Sequence, residues 1–548
     1  MSRCAVTLAI ASLFSLVMFS AGCAAAEQPG STAGGNDDKP RYGGVLRIGG
    51  SEPGSFDAVV GRGAGDQTFV RAVTNQLIAA DDSRQPDPKN SLVAKWEILG
   101  DGKTIRLQLR DNVYFNDGTK FDASVVKWNI ERVLDPKNFS QVRGNFVAIK
   151  KIEVKDPLTV VLHLDEVDVP LLYHLADRGG MMHSPAAVTK SPDDHGVTQV
   201  SGTGPYELVE WVKGSHVTVK RFKDYWRKDD AGNQLPFLDG ITWQVLPDAR
   251  IRVAALETKQ VDLIDPLTFP GEFIDRVRGK PGMVFYITKG ASVPALRLNL
   301  NVFPMTDVHL RRAISYSLDR KALMKIEYGE LGEYIGGGAI TPAFEQYFVP
   351  PDKGGVPPVE RDLQKAREEL RLAGYVNGFE WTTLGSSAES NRKRLEAMQA
   401  MQAEVGIKMN IKVQDGALMQ QMFFAGEAAA FAGSYSDRLD PDSGLFEKYY
   451  CAPAGSEALG LTPGFGGGRP PSSNCVLEAS LLLLKARRTS DVETRKRLYL
   501  EFDKLYVEHQ LELMLGYAKR GVAHWDYVQG FVLGGDQKGE YYQTWLRK

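Results

Sequence analysis

From Arg41 to the end of the chain, short runs in which apolar and polar residues alternate are interleaved with runs in which apolar residues recur every three or four positions. The first pattern predicts half-buried strands and the second amphipathic helices; their interleaving predicts α/β lobes and argues against a helical bundle or a sandwich. After the turn Asp101-Gly102-Lys103, Ile105, Leu107 and Leu109 alternate with polar residues as a strand. A turn at Asn116-Asp117-Gly118 follows, and Asp122 or Ser124 can cap a helix whose Val126, Ile130 and Val133 share one face. Leu395, Met398, Gln402 and Val405 follow helical spacing, Gly406 supplies a stop, and Ile407, Met409, Ile411 and Val413 alternate as a strand. Ser490 and Glu493 read as a capping box before a helix burying Leu498, Phe502 and Leu505.

The N-terminus follows a different pattern. Arg3 precedes an apolar stretch from Ala5 to Phe19, which is short for a bilayer span and is followed by small residues, so a cleaved signal peptide over residues 1–22 is expected. Ser20-Ala21-Gly22-Cys23 resembles the lipobox of bacterial lipoproteins, with Cys23 as the lipidated residue; Ser20 departs from the branched aliphatic residue preferred there, and plain secretion is the alternative. Residues 23–40, rich in Gly, Ser, Thr, Asn and Asp, read as a flexible tether. No later apolar run reaches spanning length.

At 548 residues the chain exceeds what one core usually organises, so several lobes are expected. The formal net charge of -2, with no block of Lys and Arg, gives no basis for a nucleic-acid partner. Of four cysteines, Cys4 leaves with the signal and Cys23 takes the lipid. Cys451 and Cys475 then remain as a disulfide in an oxidising compartment or as two thiols. There is no CxxC, and His183, His195 and His216 lack metal-ligand spacing; they read as surface histidines, and no metal or cofactor is expected.

Ordered segments along the mature chain carry a resemblance. They run from Gly43-Gly44-Val45-Leu46-Arg47-Ile48 through Leu92-Val93-Ala94-Lys95-Trp96-Glu97 and Phe115-Asn116-Asp117-Gly118-Thr119 to Gly202-Thr203-Gly204-Pro205-Tyr206. Asp224-Tyr225-Trp226, Val261-Asp262-Leu263 and Asp307-Val308-His309-Leu310-Arg311-Arg312-Ala313-Ile314 complete the series. In this order they resemble the family 5 solute-binding proteins of ABC transporters, which include oligopeptide-, dipeptide- and nickel-binding members. The resemblance implies a two-lobed, type II periplasmic-binding-protein-like α/β fold with an extra subdomain and a hinge that closes on a ligand. Mapped here, lobe I comprises 41–81, 191–289 and 517–548, the accessory subdomain 82–190, and lobe II 290–516. The implied partners are a small-molecule or peptide ligand, ABC permease subunits and, through Cys23, the membrane; a monomer is expected.

The sharpest local match is Ser434-Tyr435-Ser436-Asp437-Arg438-Leu439-Asp440-Pro441-Asp442. In peptide-binding members, the aspartate three residues before Asp-Pro grips the ligand ammonium, and Asp437 holds that position; the alternative is a solvated turn aspartate paired with Arg438. Ser434 stands where those members usually carry Trp, so Tyr435 is left to supply stacking surface and Arg438 to meet an anionic ligand group. The resemblance also sets Ser51 and Glu52 on a loop bordering the cleft, where an ordinary turn is the alternative. Arg297, in the alternating strand of Leu296, Leu298 and Leu300, faces either the cleft or solvent. The ligand class stays open among a peptide, a glycoside, an opine-like conjugate and a metal chelate. Two rival readings are an exported hydrolase, for which no GxSxG, SxxK or metalloprotease helix is found, and a sensory binding protein that acts without transport.

Overall fold

Strand Val45–Gly50 runs parallel to Gly240–Val245 on one side and Leu263–Ile264 on the other, and forms the middle of a seven-stranded sheet. The computed structural model describes residues 39–60, 66–138, 140, 142–288, 292–436, 438–450 and 476–547. The order across this first sheet is Met283–Ile287, Gly521–Trp525, Leu263–Ile264, Val45–Gly50, Gly240–Val245, His216–Arg221 and Tyr206–Val212. Apolar side chains cover both its faces. One cluster contains Leu46, Ile48, Phe69 and Trp243, and another Val253, Leu256, Ile264 and Ala523. The central strand Gly240–Val245 is buried or half-buried throughout, while the edge strand Tyr206–Val212 keeps exposed positions.

Several of the ordered segments prove to be structural ties. Asp262 accepts hydrogen bonds from the Arg47 guanidinium at 2.7 and 3.1 Å and from the Tyr527 hydroxyl at 2.7 Å, fastening three distant parts of the chain. In Gly202-Thr203-Gly204, a Cβ on Gly202 would lie 2.1 Å from the Val73 carbonyl oxygen, so only glycine lets the two backbones meet. Gly204 then donates its N–H to that same oxygen at 3.0 Å.

A second seven-stranded sheet is built around Ser292–Leu298, which pairs antiparallel with Ala430–Ser436; Glu380–Gly385 joins the latter in parallel and pairs with Lys408–Val413. Its core holds Leu296, Trp381, Leu395, Met398, Phe502 and Tyr506. The helix-into-strand reading holds: helix Glu389–Ala403 ends before Gly406, whose φ of +84° suits glycine, and strand Lys408–Val413 follows. The chain passes between the two sheets from Ile287 to Ser292 and again from Ala518 to Gly521. Tyr517 still pairs with Glu333 in the second sheet, so the expected return at that residue comes a few positions early.

A separate antiparallel sheet, ordered Val93–Leu99, Thr104–Leu109, Thr159–Leu164 and Ile149–Asp156, packs against helix Ala123–Leu134. As expected, Ile105, Leu107 and Leu109 are the buried positions of their strand, and Asp122 caps the helix by accepting from the N–H groups of Ser124 and Val125. The last long helix, Val492–Glu508, corrects a detail. Its cap is Asp491, which accepts from the Thr494 N–H, and not the expected Ser490; both residue types can cap, and the start lies one position later.

Candidate functional site

The loop after strand Ala430–Ser436 is pinned from below by two buried ion pairs. Asp440 accepts from the Arg495 guanidinium at 2.6 and 2.8 Å, and Asp442 from Arg487 Nε at 3.0 Å. Arg495 also donates to the hydroxyls of Tyr347 and Tyr499 at 2.7 and 2.9 Å. Burial alone would push the Asp442 carboxyl up, but Arg487 and His174 outweigh it and hold it well below the usual carboxylate range. The Asp-Pro-Asp segment is therefore a structural anchor that presents the residues just before it.

Above that anchor the second lobe meets the first. A cavity of about 240 Å³ is lined from the first lobe and its subdomain by Asp82, Arg84 and Gln537, and from the second by Phe344, Tyr347 and Leu439. It carries charges of both signs, Asp82 and Glu345 against Arg84. Arg84, a non-glycine residue at φ +65°, extends its guanidinium over the Phe344 ring at 5.5 Å and donates to the Arg438 carbonyl at 3.1 Å. A left-handed backbone at arginine costs about 1 kcal/mol, and these contacts across the lobes offset it. No sequence signal marked Arg84, Phe344 or Tyr347, because only the approach of the lobes brings them together.

The predicted site residues separate into groups. Ser434 is exposed and Tyr435 half-buried on strand Ala430–Ser436, where Lys448 Nζ lies 2.9 Å from the centre of the Tyr435 ring. Asp437, the expected ammonium ligand, lies outside the described residues, as do Cys23, Cys451 and Cys475. Arg438 donates to Asp177 Oδ2 at 2.9 Å, which ties it to protein across the lobes where a ligand anion had been expected. Arg297 meets Glu512 at 3.4 Å and lies over Phe431 at 5.2 Å, so it packs inside the second lobe instead of simply facing solvent. Glu52 accepts from Trp211 Nε1 at 2.8 Å and the Gly214 N–H at 2.9 Å, closing its loop onto a neighbouring hairpin; Ser51 beside it is half-buried.

The histidines call for a correction, since His183 and His195 are buried, not on the surface as expected. Their rings stand edge to face, and with Asp57 they form a compact trio. The Ala58 N–H donates to His183 Nε2 at 3.2 Å, so His183 carries its proton on Nδ1, facing His195 Nε2 at 3.2 Å. Asp57 is gripped by both Arg132 guanidinium nitrogens and also accepts from the Val59 N–H. Donors already occupy the Asp57 carboxylate and His183 Nε2, which leaves those atoms ill placed to hold a cation; His195 Nδ1 is buried with no hydrogen-bond partner among the described residues. The trio escaped the sequence reading because its three members come from separate loops with no common spacing.

Two α/β lobes joined by two crossings, with a subdomain on the first and a charged cavity between them, define a two-lobed solute-binding protein. Residues 87–456 match the family model described as bacterial extracellular solute-binding proteins, family 5 Middle, and the chain belongs to that family. It is 30% identical over 457 residues to the glutathione-binding protein GsiB of Salmonella paratyphi A, covering 81% of this chain and 83% of that one. It is 31% identical over 425 residues to GsiB of Escherichia coli strain K12, covering 75% and 77%. Among solved structures, the binding protein AgaA in complex with agropinic acid from A. tumefaciens R10 superposes with a TM-score of 0.79 at 26% identity, over 91% of this chain and 99% of that one. Helicobacter pylori DppA in complex with the peptide STSA gives a TM-score of 0.80 at 23% identity, over 93% and 99%, which speaks to the fold. The chain is thus a solute-binding protein of an ABC importer and not an enzyme, and family membership sets the hydrolase reading aside.

Proposed function

We propose that the solute is a small zwitterion derived from amino acids, with an ammonium and one or more carboxylates, of which glutathione and opine-like conjugates are examples. The carrying observation is the cavity between the lobes, which gathers Asp82, Glu345 and Arg84 around Phe344 and Tyr347 and is lined by Leu439, next to Arg438. Asp437 meets the ammonium, and a charge-assisted bond there contributes about 1.5 to 3 kcal/mol. Ser434, in place of a bulky aromatic, leaves room for a branched or modified side chain, and Tyr435 forms part of the wall. Ser51 and Arg297 stand as outlying candidates, and Glu52 acts through its loop. A relative that binds glutathione supports this class over a glycoside or a metal chelate.

The same reading takes residues 1–22 as a signal, Cys23 as the lipid anchor, 23–40 as the tether, and Cys451 with Cys475 as a disulfide, in a monomer that docks on permease subunits. The lobe limits read from the sequence stand with it, save that the return to lobe I is moved to about Gly521. The test is thermal denaturation and calorimetry with reduced glutathione, mannopinic acid and a dipeptide at millimolar concentration. A ligand at a hundred times its Kd adds about 2.7 kcal/mol of stability. No stabilisation by any of the three contradicts the proposed class.

A further inference from the structure

The accessory subdomain touches the second lobe at the residues that flank Asp437. Arg438 reaches across to Asp177, and Leu439 enters the apolar core of the subdomain beside residues such as Leu171 and Leu175. Ser443 Oγ lies 3.1 Å from His174 Nδ1, and His174 Nε2 lies 3.3 Å from Asp442. At the edge of the same contact the Val169 N–H donates to the Arg487 carbonyl at 3.0 Å, and Arg488 pairs with Glu166. Arg178 and Lys538 also act on Asp177; burial pushes its carboxyl up, but Arg438, Lys538 and Arg178 outweigh this and hold it well below the usual carboxylate range. One carboxylate thus answers cations from the second lobe, the subdomain and the C-terminal loop of the first lobe.

We infer that the accessory subdomain is the receptor for a latch, in which Asp177 and His174 hold the segment Arg438–Ser443 and thereby fasten the lobes. When the lobes part, Leu439 leaves an apolar core and Asp177 loses a cation, so opening costs energy even without a solute. Asp177 and His174 are positioning residues in this scheme. The inference rests on the reading of Asp437 as the ammonium ligand only for its effect on binding, not for the latch itself.

Amide hydrogen exchange on the full mature chain tests it, with Arg438→Ala, Arg438→Lys and the near-isosteric Asp177→Asn. With no solute added, Arg438→Ala and Asp177→Asn should each raise exchange across 171–178 by about tenfold or more. Strands Val93–Leu99 and Thr159–Leu164 should be unchanged, which reports that the subdomain stays folded, and Arg438→Lys should restore most of the protection. Unchanged exchange over 171–178 in both charge-removing variants overturns the latch. Reduced glutathione serves as the binding probe, and both variants should speed its dissociation more than they slow its association. Coupled exchange in a protein that ignores glutathione removes glutathione as the solute and leaves the latch standing; glutathione binding with unchanged exchange overturns the latch and leaves the ligand reading standing.

Discussion

Arg495 clasps Asp440 with both guanidinium nitrogens, at 2.6 and 2.8 Å, across 55 residues of sequence and with both side chains almost completely buried. The pair supports the ligand-facing loop from inside the second lobe, and its energetics follow from that burial. Removing one partner leaves an unpaired charge in a low-dielectric interior, so Arg495→Met should cost about 3 to 5 kcal/mol. Urea denaturation checks this, and an unchanged midpoint contradicts it.

The loop itself is tested at its sharpest residue. Asp437→Ala should weaken binding of the cognate solute by tenfold or more, at about 1.4 kcal/mol per decade. Calorimetry should show the loss with stability unchanged; equal affinity removes Asp437 from the site.

Acid should destabilise the first lobe through the buried histidines. Burial lowers the His183 pKa to about 3 and also lowers that of His195, with Asp57 opposing and Arg132 reinforcing the shift. Between 6.5 and about 3 the unfolded chain therefore binds protons that the folded chain refuses, and stability falls as pH falls through that window. Each histidine can contribute a slope of up to about 1.4 kcal/mol per pH unit. Asp57 adds to the lower end of this window, since Arg132 and the histidines outweigh its burial and lower its pKa from 3.8 to about 2, so the unfolded chain also takes up that proton first. His183→Gln, which can still accept from the Ala58 N–H, should flatten the dependence of unfolding free energy on pH; an unaltered slope contradicts the account.

Cys451 and Cys475 should be bridged in protein isolated from the periplasm or cell surface. Alkylation before reduction should leave both unmodified, and breaking the bridge should cost about 3 kcal/mol by loop-closure entropy. Free labelling of both thiols contradicts the pairing.

Local grammar and long-range contact divide what could be read in advance. Alternation around Ile105 and Leu107, the Asp122 cap and the Gly406 stop were legible because each depends on neighbours within a few positions. The Asp-Pro loop was legible as a motif, but not the reason for its acids, since Arg487 and Arg495 lie tens of residues away. Glu52 had the chemistry of a ligand contact, and only the fold brings Trp211 to it. Arg84, His174 and Asp177 were invisible for the same reason: each acts through a partner in another lobe or subdomain.

The central claim is that the cleft holds a small solute and releases it chemically unchanged. Native mass spectrometry of the purified protein with reduced glutathione and mannopinic acid addresses it directly. The account predicts a one-to-one complex with at least one of them, which on denaturation returns the added compound at its original mass. No complex with either, or a released compound of altered mass, would contradict it.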